Sequence, residues 1–196
     1  MCPGGYVVAA ASEEGRIATN GMSCADRDGE NANAALLVTL NPRDFPYEGN
    51  LGGMEWQREI EEKAFMVSGS YRAPAQKFGD FLKGIPSTGP GSIEPTYRPG
   101  VTWCDLHQVL PPKITDALKL AIPRMDRKLH GYADPDAVLT APVTRSSSPV
   151  RILRDETRQS RIRGLYPTGE GAGYAGGIMS AAIDGMQTAE AILTQE

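Results

Sequence analysis

The sequence feature that most restricts the fold is a cluster of glycines near the C-terminus. Five glycines lie within nine residues: Gly169, Gly171, Gly173, Gly176 and Gly177. A strand-like segment at residues 162–166 precedes them, and apolar residues at helical spacing follow them to about Leu193. A passage from strand to helix through so many glycines predicts a tight turn in which another group approaches the backbone closely.

The start of that helix has two interpretations. A helix N-terminus offers free backbone N–H groups and the positive end of the helix dipole, which suit a phosphate or another anion. Alternatively, the glycines serve only to pack the helix tightly against a sheet. The loop is neither a Walker A loop, which needs Gly-Lys-Ser/Thr, nor an opening dinucleotide fingerprint, which needs an acidic residue about 20 positions further on. We therefore predict that this loop and helix are the last elements of a fold rather than its first.

The rest of the chain alternates short apolar runs with helical patterns, which predicts an α+β fold. Residues 16–33 and 86–99 are rich in turn-forming residues and are predicted to be loops. The helix with the longest apolar stripe contains Pro123, which is expected to kink it or to end its regular part. Predicted strands cover residues 6–11, 35–40, 137–143 and 150–153, and predicted helices cover residues 54–67, 74–82 and 112–129.

Composition restricts the function classes. The 196 residues carry 20 basic and 24 acidic side chains, a net charge of −4, which argues against a nucleic-acid-binding protein. No apolar run approaches the ~20 residues that a membrane-spanning helix needs, and the N-terminus lacks the pattern of an export signal. Cys2, Cys24 and Cys104 lie far apart, as expected in a reducing cytoplasm. We therefore expect a cytoplasmic protein without a membrane or nucleic-acid partner, and without a metal, since no histidines and cysteines have zinc-site spacing.

Two further groups of side chains invite a functional interpretation. Residues 146–148 are serines, but they lack the Gly-x-Ser-x-Gly pattern of a nucleophile and neither histidine has a spacing that indicates a triad, so solvated hydroxyls are expected. Two interpretations of the arginines are equally good. They form a solvated surface of mixed charge, or they clamp a phosphate or carboxylate. The arginines concerned are Arg145, Arg151, Arg154, Arg161 and Arg163. The catalytic residues stay unknown at this stage.

Four segments, taken together and in order, resemble a known family. The longest is GLYPTGEGAGYAGGIMSAAIDG at residues 164–185. The others are Cys-Pro-Gly-Gly at 2–5 with Ser-Glu at 12–13, Asn-Gly-Met-Ser at 20–23 with Asn-Ala-Asn at 31–33, and Thr-Arg-Ser-Ser-Ser-Pro-Val-Arg-Ile at 144–152. In these segments the chain resembles FAD-dependent oxidoreductases described as NAD(FAD)-utilising dehydrogenases, which are built on a glutathione-reductase-like flavin domain.

The resemblance implies a division of the chain into three parts. Residues 1–34 and 144–196 would be segments of the FAD-binding domain, and residues 35–143 a substrate or insert domain. The fold would be α+β, with remnants of an α/β flavin domain around a mixed insert. In this family a strand, a Gly-x-Gly-x-x-Gly turn and an acidic residue open the FAD-binding fold, and nothing here matches them. We therefore expect this chain to be the C-terminal portion of such a protein, without the N-terminal dinucleotide-binding half.

The same resemblance implies where a flavin would lie in a complete member. Gly169 and Glu170 would lie beside its diphosphate and ribityl chain, and the helix that begins near Gly176 would direct its positive end there. Residues 145–147 would line the isoalloxazine or substrate side of the cleft, and the flavin would perform the redox chemistry. The residues expected to contact the cofactor are Gly169, Glu170, Gly171, Gly173, Gly176, Gly177, Ile178, Arg145, Ser146 and Ser147.

The expected activity belongs to the complete protein. It would pass a hydride or electrons between FAD and a reduced nicotinamide or an organic small-molecule substrate. This chain alone is expected to bind FAD weakly or not at all and to be inactive, because most adenine, ribose and pyrophosphate contacts would be absent. The strand at residues 6–11 and the closing helix would lose neighbours, which predicts a homodimer or larger assembly. The alternative function is a stand-alone domain that binds an anion, a nucleotide or a partner without redox chemistry.

Overall fold

The computed structural model describes residues 3–194, which form two compact units. The first unit comprises the chain up to Leu40 together with Gln57–Thr144. The second comprises Asn41–Trp56 together with the chain from Arg145 onward. Helices and strands are mixed along the chain, so the predicted α+β class is confirmed. The glutathione-reductase-like fold and the three-part division into flavin-domain and insert segments stay predictions.

The first unit begins with a two-stranded antiparallel hairpin. β1 (Gly5–Ala9) overlaps the strand predicted over residues 6–11 and pairs with β2 (Thr19–Ser23). The prediction of a loop at residues 16–33 is therefore wrong over β2, where an Asn-Gly pair typical of turns lies inside a strand. A Cβ at Gly21 would lie 2.2 Å from Oδ1 of Asn33, so a larger residue there would displace that side chain. The side-chain amide of Asn33 in turn donates a 3.1 Å hydrogen bond to the carbonyl of Met22.

α1 (Gly52–Ser68) confirms the helix predicted over residues 54–67. Trp56, Ile60 and Ala64 are buried, four residues apart, which places them on one face. Glu61 is also fully buried, and its Oε1 accepts a 2.5 Å hydrogen bond from Oγ1 of Thr144. A buried carboxylate needs such partners because it has lost its hydration.

A three-stranded sheet forms the centre of the first unit. β3 (Ala73–Lys77) pairs in parallel with β4 (Val101–Trp103) and antiparallel with β5 (Val138–Thr140). β5 lies within a predicted strand, but β4 corresponds to none, and β3 replaces the first part of the helix predicted over residues 74–82. Pro74 fits this strand because the ladder with β5 begins one residue later, so the N–H that proline lacks is not required.

α2 (Phe78–Lys83) and α3 (Pro112–Asp126) supply much of the core of this unit. α3 ends at Asp126 rather than at residue 129, and it continues past Pro123. Of the two effects expected of this proline, ending the helix there is therefore wrong, and the kink stays a prediction. Of the apolar stripe predicted on α3, Leu118 and Ile122 are buried and Ile114 packs against the core, whereas Met125 and Leu129 are exposed. The buried core residues are Phe78, Phe81, Leu106, Leu118, Ile122 and Ala141.

Three predicted strands have no counterpart among the described residues. Residues 35–40, 150–153 and 162–166 have no regular secondary structure. In the first of these segments, Leu36 and Val38 nevertheless pack against the core of the first unit. An apolar run therefore indicated contact with the core correctly, but a strand also requires a partner strand along its length.

Candidate functional site

α4 (Ile178–Leu193) follows the glycine-rich loop directly and confirms the helix predicted there. Its two buried residues, Asp184 and Thr188, are polar. Of the apolar face that the sequence predicts, only Ala181 is half-buried, and the other members are exposed: Ile178, Ala182, Met186, Ala189 and Ile192. The helix therefore directs its polar side into the second unit, which is the reverse of what an apolar stripe normally indicates.

Asp184 joins α4 to the segments that precede it. Both of its oxygens accept hydrogen bonds from the guanidinium of Arg154, at 2.9 Å from Nη1 to Oδ2 and 2.6 Å from Nη2 to Oδ1. Nη1 of Arg158 donates to Oδ1 at 2.7 Å, and the backbone N–H of Gly169 donates to Oδ2 at 2.9 Å. Asp184 is 8% exposed, so these four bonds hold a largely desolvated carboxylate. We call Asp184, Arg154, Arg158 and Tyr174 the Asp184 cluster.

The electrostatics of this cluster are mutually stabilising. The hydrogen bonds from Arg154 above all hold the pKa of Asp184 far below its ordinary value, although burial acts in the opposite direction. The same hydrogen bonds raise the pKa of Arg154. The guanidinium of Arg154 also lies 3.6 Å from the ring centroid of Tyr174, in a cation–π contact. Charge, hydrogen bonding and stacking therefore fix one arginine in one position.

Of the two interpretations of the arginines, Arg154 fits the one in which an arginine holds a carboxylate, but that carboxylate is Asp184 of the chain itself. Nη1 of Arg154 also donates to the carbonyl of Pro167 at 2.8 Å, just before the glycines. The sequence reasoning missed Asp184 and Tyr174. The available signal was Asp184 itself, the sole charged residue among the first twelve residues of the helix.

Two of the five clustered glycines are required by the chain's own geometry. Gly169 has a φ of +75° and Gly173 a φ of +83°, which other residues rarely adopt. A Cβ at Gly173 would also lie 2.5 Å from the carbonyl oxygen of Val150. The N–H of Gly173 donates to the carbonyl of Glu170 at 3.0 Å, and that of Tyr174 donates to the carbonyl of Gly169 at 3.0 Å. These positions therefore form the turn.

The other three glycines have no such explanation within the described chain. A Cβ at Gly171 or Gly176 would have nothing within 4 Å, and one at Gly177 would meet only Oγ of Ser180 at 3.9 Å. None of the three has a positive φ. Glycine adds conformational entropy to the unfolded chain, so each of these three glycines lowers the free energy of unfolding. No turn or close contact within the described chain compensates for that loss. The space beside these backbones is open to a ligand or to further polypeptide.

The residues predicted to line the substrate side lie in the same unit as the glycine-rich loop. Arg145 and Ser147 are exposed, and Ser146 is half-buried, in a segment without regular structure. The residues that follow run along the loop. The N–H of Ile152 donates to the carbonyl of Ala172 at 3.2 Å, and Nε of Arg151 donates to the carbonyl of Gly173 at 3.0 Å. The roles of residues 145–147, and those of Glu170 and Ile178, stay predictions.

An Asp–His pair in the first unit is a further group that the sequence reasoning did not single out. Nδ1 of His107 lies 2.5 Å from Oδ1 of Asp105, and the imidazole stacks on the ring of Phe81. Burial alone would raise the pKa of Asp105, but the hydrogen bonds from the backbone and ring of His107 lower it. Asp105 also accepts a bond from the backbone N–H of His107, so the pair caps a short helical turn.

Candidate metal ligands, thiols and membrane-spanning helices were sought in the part of the chain that the structure describes. Over residues 3–194, His, Cys, Asp and Glu side chains form no group of three that could hold a metal ion. Cys24 and Cys104 are free thiols, and burial raises the pKa of Cys104 to about 11. Cys2 lies outside the described residues. Over the same residues, each helix is too short or too polar to cross a lipid bilayer.

Known proteins resemble this chain over most of its length. The model of a family described as "FAD-dependent protein, C-terminal domain-like" matches residues 1–146. An uncharacterized protein of Clostridium beijerinckii (strain ATCC 51743 / NCIMB 8052) is 52% identical over 195 residues, which cover 98% of this chain. The chain spans only 37% of the length of that relative. The family match ends before the glycine-rich loop, whereas the similarity to the relative extends over nearly the whole chain.

Proposed function

The chain belongs to the FAD-dependent protein, C-terminal domain-like family, and on that premise we propose that it forms the C-terminal part of a flavoprotein oxidoreductase, in which the glycine-rich loop contacts FAD. The observation that carries the proposal is the open space beside Gly171, Gly176 and Gly177. Three glycines that neither φ nor packing requires lie within seven residues just before α4, which leaves their backbone open to a group from outside the chain. We take that group to be FAD because the matching family is described as FAD-dependent.

The chemistry at this position suits the anionic part of a dinucleotide. Gly177 is the N-cap of α4, so the first N–H groups of the helix and the positive end of its dipole lie beside the open glycines. The N–H of Gly169 is already used by Asp184, so its part is to shape the turn. We therefore assign the closest cofactor contacts to Gly176 and Gly177. When bound, FAD would supply the redox chemistry of the complete protein.

The Asp184 cluster would hold the loop in position for this contact. Arg154 bonds to the carbonyl of Pro167 on one side of the loop and to α4 on the other. A loop that is already fixed loses little conformational entropy when a ligand binds. Asp184 and Arg154 are therefore positioning residues, and residues 145–147 are proposed to line the adjacent substrate side.

The substrate, the electron acceptor and the turnover belong to the complete protein. We propose that it passes a hydride or electrons between FAD and a nicotinamide or another organic molecule. The isolated chain is proposed to be inactive and to bind FAD weakly or not at all, since the family's opening dinucleotide-binding elements are not matched in it. Titration of the isolated chain with FAD, followed by flavin fluorescence, tests this point. Micromolar affinity would contradict it.

A chimera tests the assignment of the loop. In it, this chain replaces the segment that it matches in the Clostridium beijerinckii protein, and the flavin bound per polypeptide is measured by absorbance. Gly176→Val fills the open space without straining the backbone, so flavin content should fall at least tenfold while the isolated variant chain unfolds like the unmodified chain. Gly89→Val is the matched control, because Gly89 also has nothing within 4 Å and lies in the first unit.

Three outcomes would overturn the proposal. The first is undiminished flavin in the Gly176→Val chimera. The second is equal loss of flavin in the Gly89→Val control. The third is an unmodified C. beijerinckii protein that folds but carries no flavin, which would favour a domain that binds an anion or a partner without redox chemistry.

A further inference from the structure

Arg151 has a guanidinium group that the chain fixes in position without using its outer edge. Its Nε donates a 3.0 Å hydrogen bond to the carbonyl of Gly173, and its guanidinium carbon lies 5.0 Å from the ring centroid of Tyr174. Within residues 3–194, neither Nη group has a hydrogen-bond or ion-pair partner. The two Nη groups form the edge of a planar fork that binds a carboxylate or phosphate through two parallel hydrogen bonds. The chain therefore orients this edge but leaves it available.

The surroundings of Arg151 carry more positive than negative charge. Arg154 and Arg158 both form ion pairs with the same carboxylate, that of Asp184, so one positive charge stays unbalanced there. Arg154 also lies 3.6 Å from the ring centroid of Tyr174, so the guanidinium groups of Arg151 and Arg154 contact one and the same ring. Positive charges that are held close together attract an anion that neutralises them.

The acidic side chains nearby in the sequence do not supply that anion. Asp155 accepts hydrogen bonds from the hydroxyl and the backbone N–H of Thr157, within its own turn. Glu170 lies in the glycine-rich loop but forms no ion pair with Arg151 in the described part of the chain. A partner for the free edge of Arg151 therefore has to come from outside the described residues.

The backbone to which Arg151 is bonded lies in the open part of the glycine-rich loop. Arg151 itself is exposed. Gly173, which accepts its hydrogen bond, lies between Gly171 and Gly176, where a Cβ would have nothing within 4 Å. A ligand that approaches this part of the loop therefore meets backbone and a fixed guanidinium group rather than bulky side chains.

We propose that Arg151 binds a carboxylate or phosphate group of a ligand from outside the chain. The two interpretations of the arginines thus apply to different residues: Arg154 holds a carboxylate of the chain itself, whereas Arg151 is positioned for that of a ligand. The group belongs either to the cofactor or to an anionic small-molecule substrate, and the chemistry that recognises it is the same. The inference assigns a residue and a class of ligand that the proposed function leaves open.

Titration of the isolated chain with inorganic pyrophosphate, at constant ionic strength, tests the site. Binding is followed by NMR through the backbone amides of Gly171 and Gly173. It should be saturable at millimolar concentrations in the unmodified chain and at least tenfold weaker in Arg151→Gln. Arg151→Lys keeps the charge but has no fork, so it should weaken binding at least threefold.

Arg163→Gln is the matched control for the loss of charge. Arg163 is also exposed and lies in the same unit, so the variant removes the same charge from another place on its surface. Its affinity for pyrophosphate should equal that of the unmodified chain. The protection of the α4 amides against hydrogen exchange shows whether each variant stays folded. If Arg151→Gln does not, the comparison is made with Arg151→Lys.

The chimera described above distinguishes the two sources of the anion. If Arg151 binds a phosphate of FAD, Arg151→Gln lowers the flavin content, and the flavin-loaded chimera no longer binds pyrophosphate. If it binds an anionic substrate, the flavin content of Arg151→Gln is unchanged, and the loaded chimera still binds pyrophosphate or the dicarboxylate succinate. Either result supports the site and identifies the ligand that uses it.

Three results would overturn the proposal. They are the absence of saturable pyrophosphate binding, equal affinities of the unmodified chain and Arg151→Gln, and an equal loss of affinity in Arg163→Gln. The proposed function fails separately from this inference. Pyrophosphate binding by the isolated chain, together with a chimera that folds without flavin, would contradict only the proposed function. A flavin-loaded chimera, together with an isolated chain that does not bind pyrophosphate, would contradict only this inference.

Discussion

α3 and α4 are helices of nearly equal length with opposite orientations toward their own units. α3 has 15 residues and buries Leu118 and Ile122 in an apolar core. α4 has 16 residues and buries Asp184 and Thr188, while its large apolar residues remain exposed. Both helices have the apolar periodicity that predicts a helix. The apolar periodicity therefore predicts where a helix lies in the sequence. It does not predict whether the apolar side of that helix is buried within its own unit.

The difference indicates that the two units are stabilised in different ways. The first unit has a sheet, helices and a shared apolar core, which is the usual arrangement of a complete domain. In the second unit a desolvated carboxylate and two arginines bind α4 to the glycine-rich loop. An ion-pair network can fix geometry without providing much net stability. The second unit is therefore the one that additional polypeptide would complete.

The largest effect is expected in the core of the first unit. Phe81→Ala removes a fully buried ring and should lower the free energy of unfolding by about 4 kcal/mol. Leu120→Ala, on the exposed side of α3, should change it by less than ~0.5 kcal/mol. Chemical denaturation measures both. Similar losses for the two variants would mean that the first unit does not have the closed core described here.

The next effect concerns the ion pair of the second unit. Asp184→Asn leaves Arg154 without its countercharge and should cost about 3 kcal/mol. Glu190→Gln removes the same charge from an exposed position of α4 and should be nearly neutral. The readout is the protection of the α4 amides against hydrogen exchange. If Glu190→Gln lowers this protection as much as Asp184→Asn does, the helix is not held by the Asp184 cluster.

The ion pair of Asp184 and Arg154 also predicts that the stability of α4 depends on pH. The pKa of Asp184 is lower in the folded protein than in the unfolded chain, where it is about 4. Its stabilising contribution is therefore complete above about pH 4 and decreases as the pH falls below that value. Between pH 5 and pH 2, α4 should lose more protection in the unmodified chain than in Asp184→Asn. If α4 loses protection equally in the two proteins, Asp184 is not the cause of the pH dependence.

The smallest effect is expected on the exposed side of α4. In the isolated chain, Met186→Ala should change the free energy of unfolding by less than ~0.5 kcal/mol. Ile122→Ala, at a buried position of α3, should cost about 2 to 5 kcal/mol. Denaturation of the two variants under the same conditions gives the comparison directly. A cost above ~1 kcal/mol for Met186→Ala would show that its side chain is already covered.

The helices were predictable because each has an apolar stripe several turns long. α1, α3 and α4 agree with their predicted ranges within a few residues. The strands have three to five residues each, too few for a period of two to be recognised. β2 contains an Asn-Gly pair and β3 a proline, and both local signals normally indicate turns or helix starts. Long-range pairing overrode them.

The site was predictable in its position but not in its internal bonding. The glycine cluster correctly indicated a turn into a helix, and Gly169 and Gly173 form that turn. That Arg154 binds Asp184, 30 residues later, could not be read from spacing. The sequence also could not show that α4 turns its polar side inward, because an apolar pattern alone predicts that the apolar side is buried.

Hydrogen exchange of α4 in two contexts tests the central claim, that the second unit is completed by polypeptide from outside this chain. Exchange is followed in the isolated chain and in the chimera with the C. beijerinckii protein, with α3 as the internal reference. We predict that the α4 amides exchange at least tenfold more slowly in the chimera, while those of α3 keep their rates. Unchanged α4 rates in a folded chimera would contradict the account.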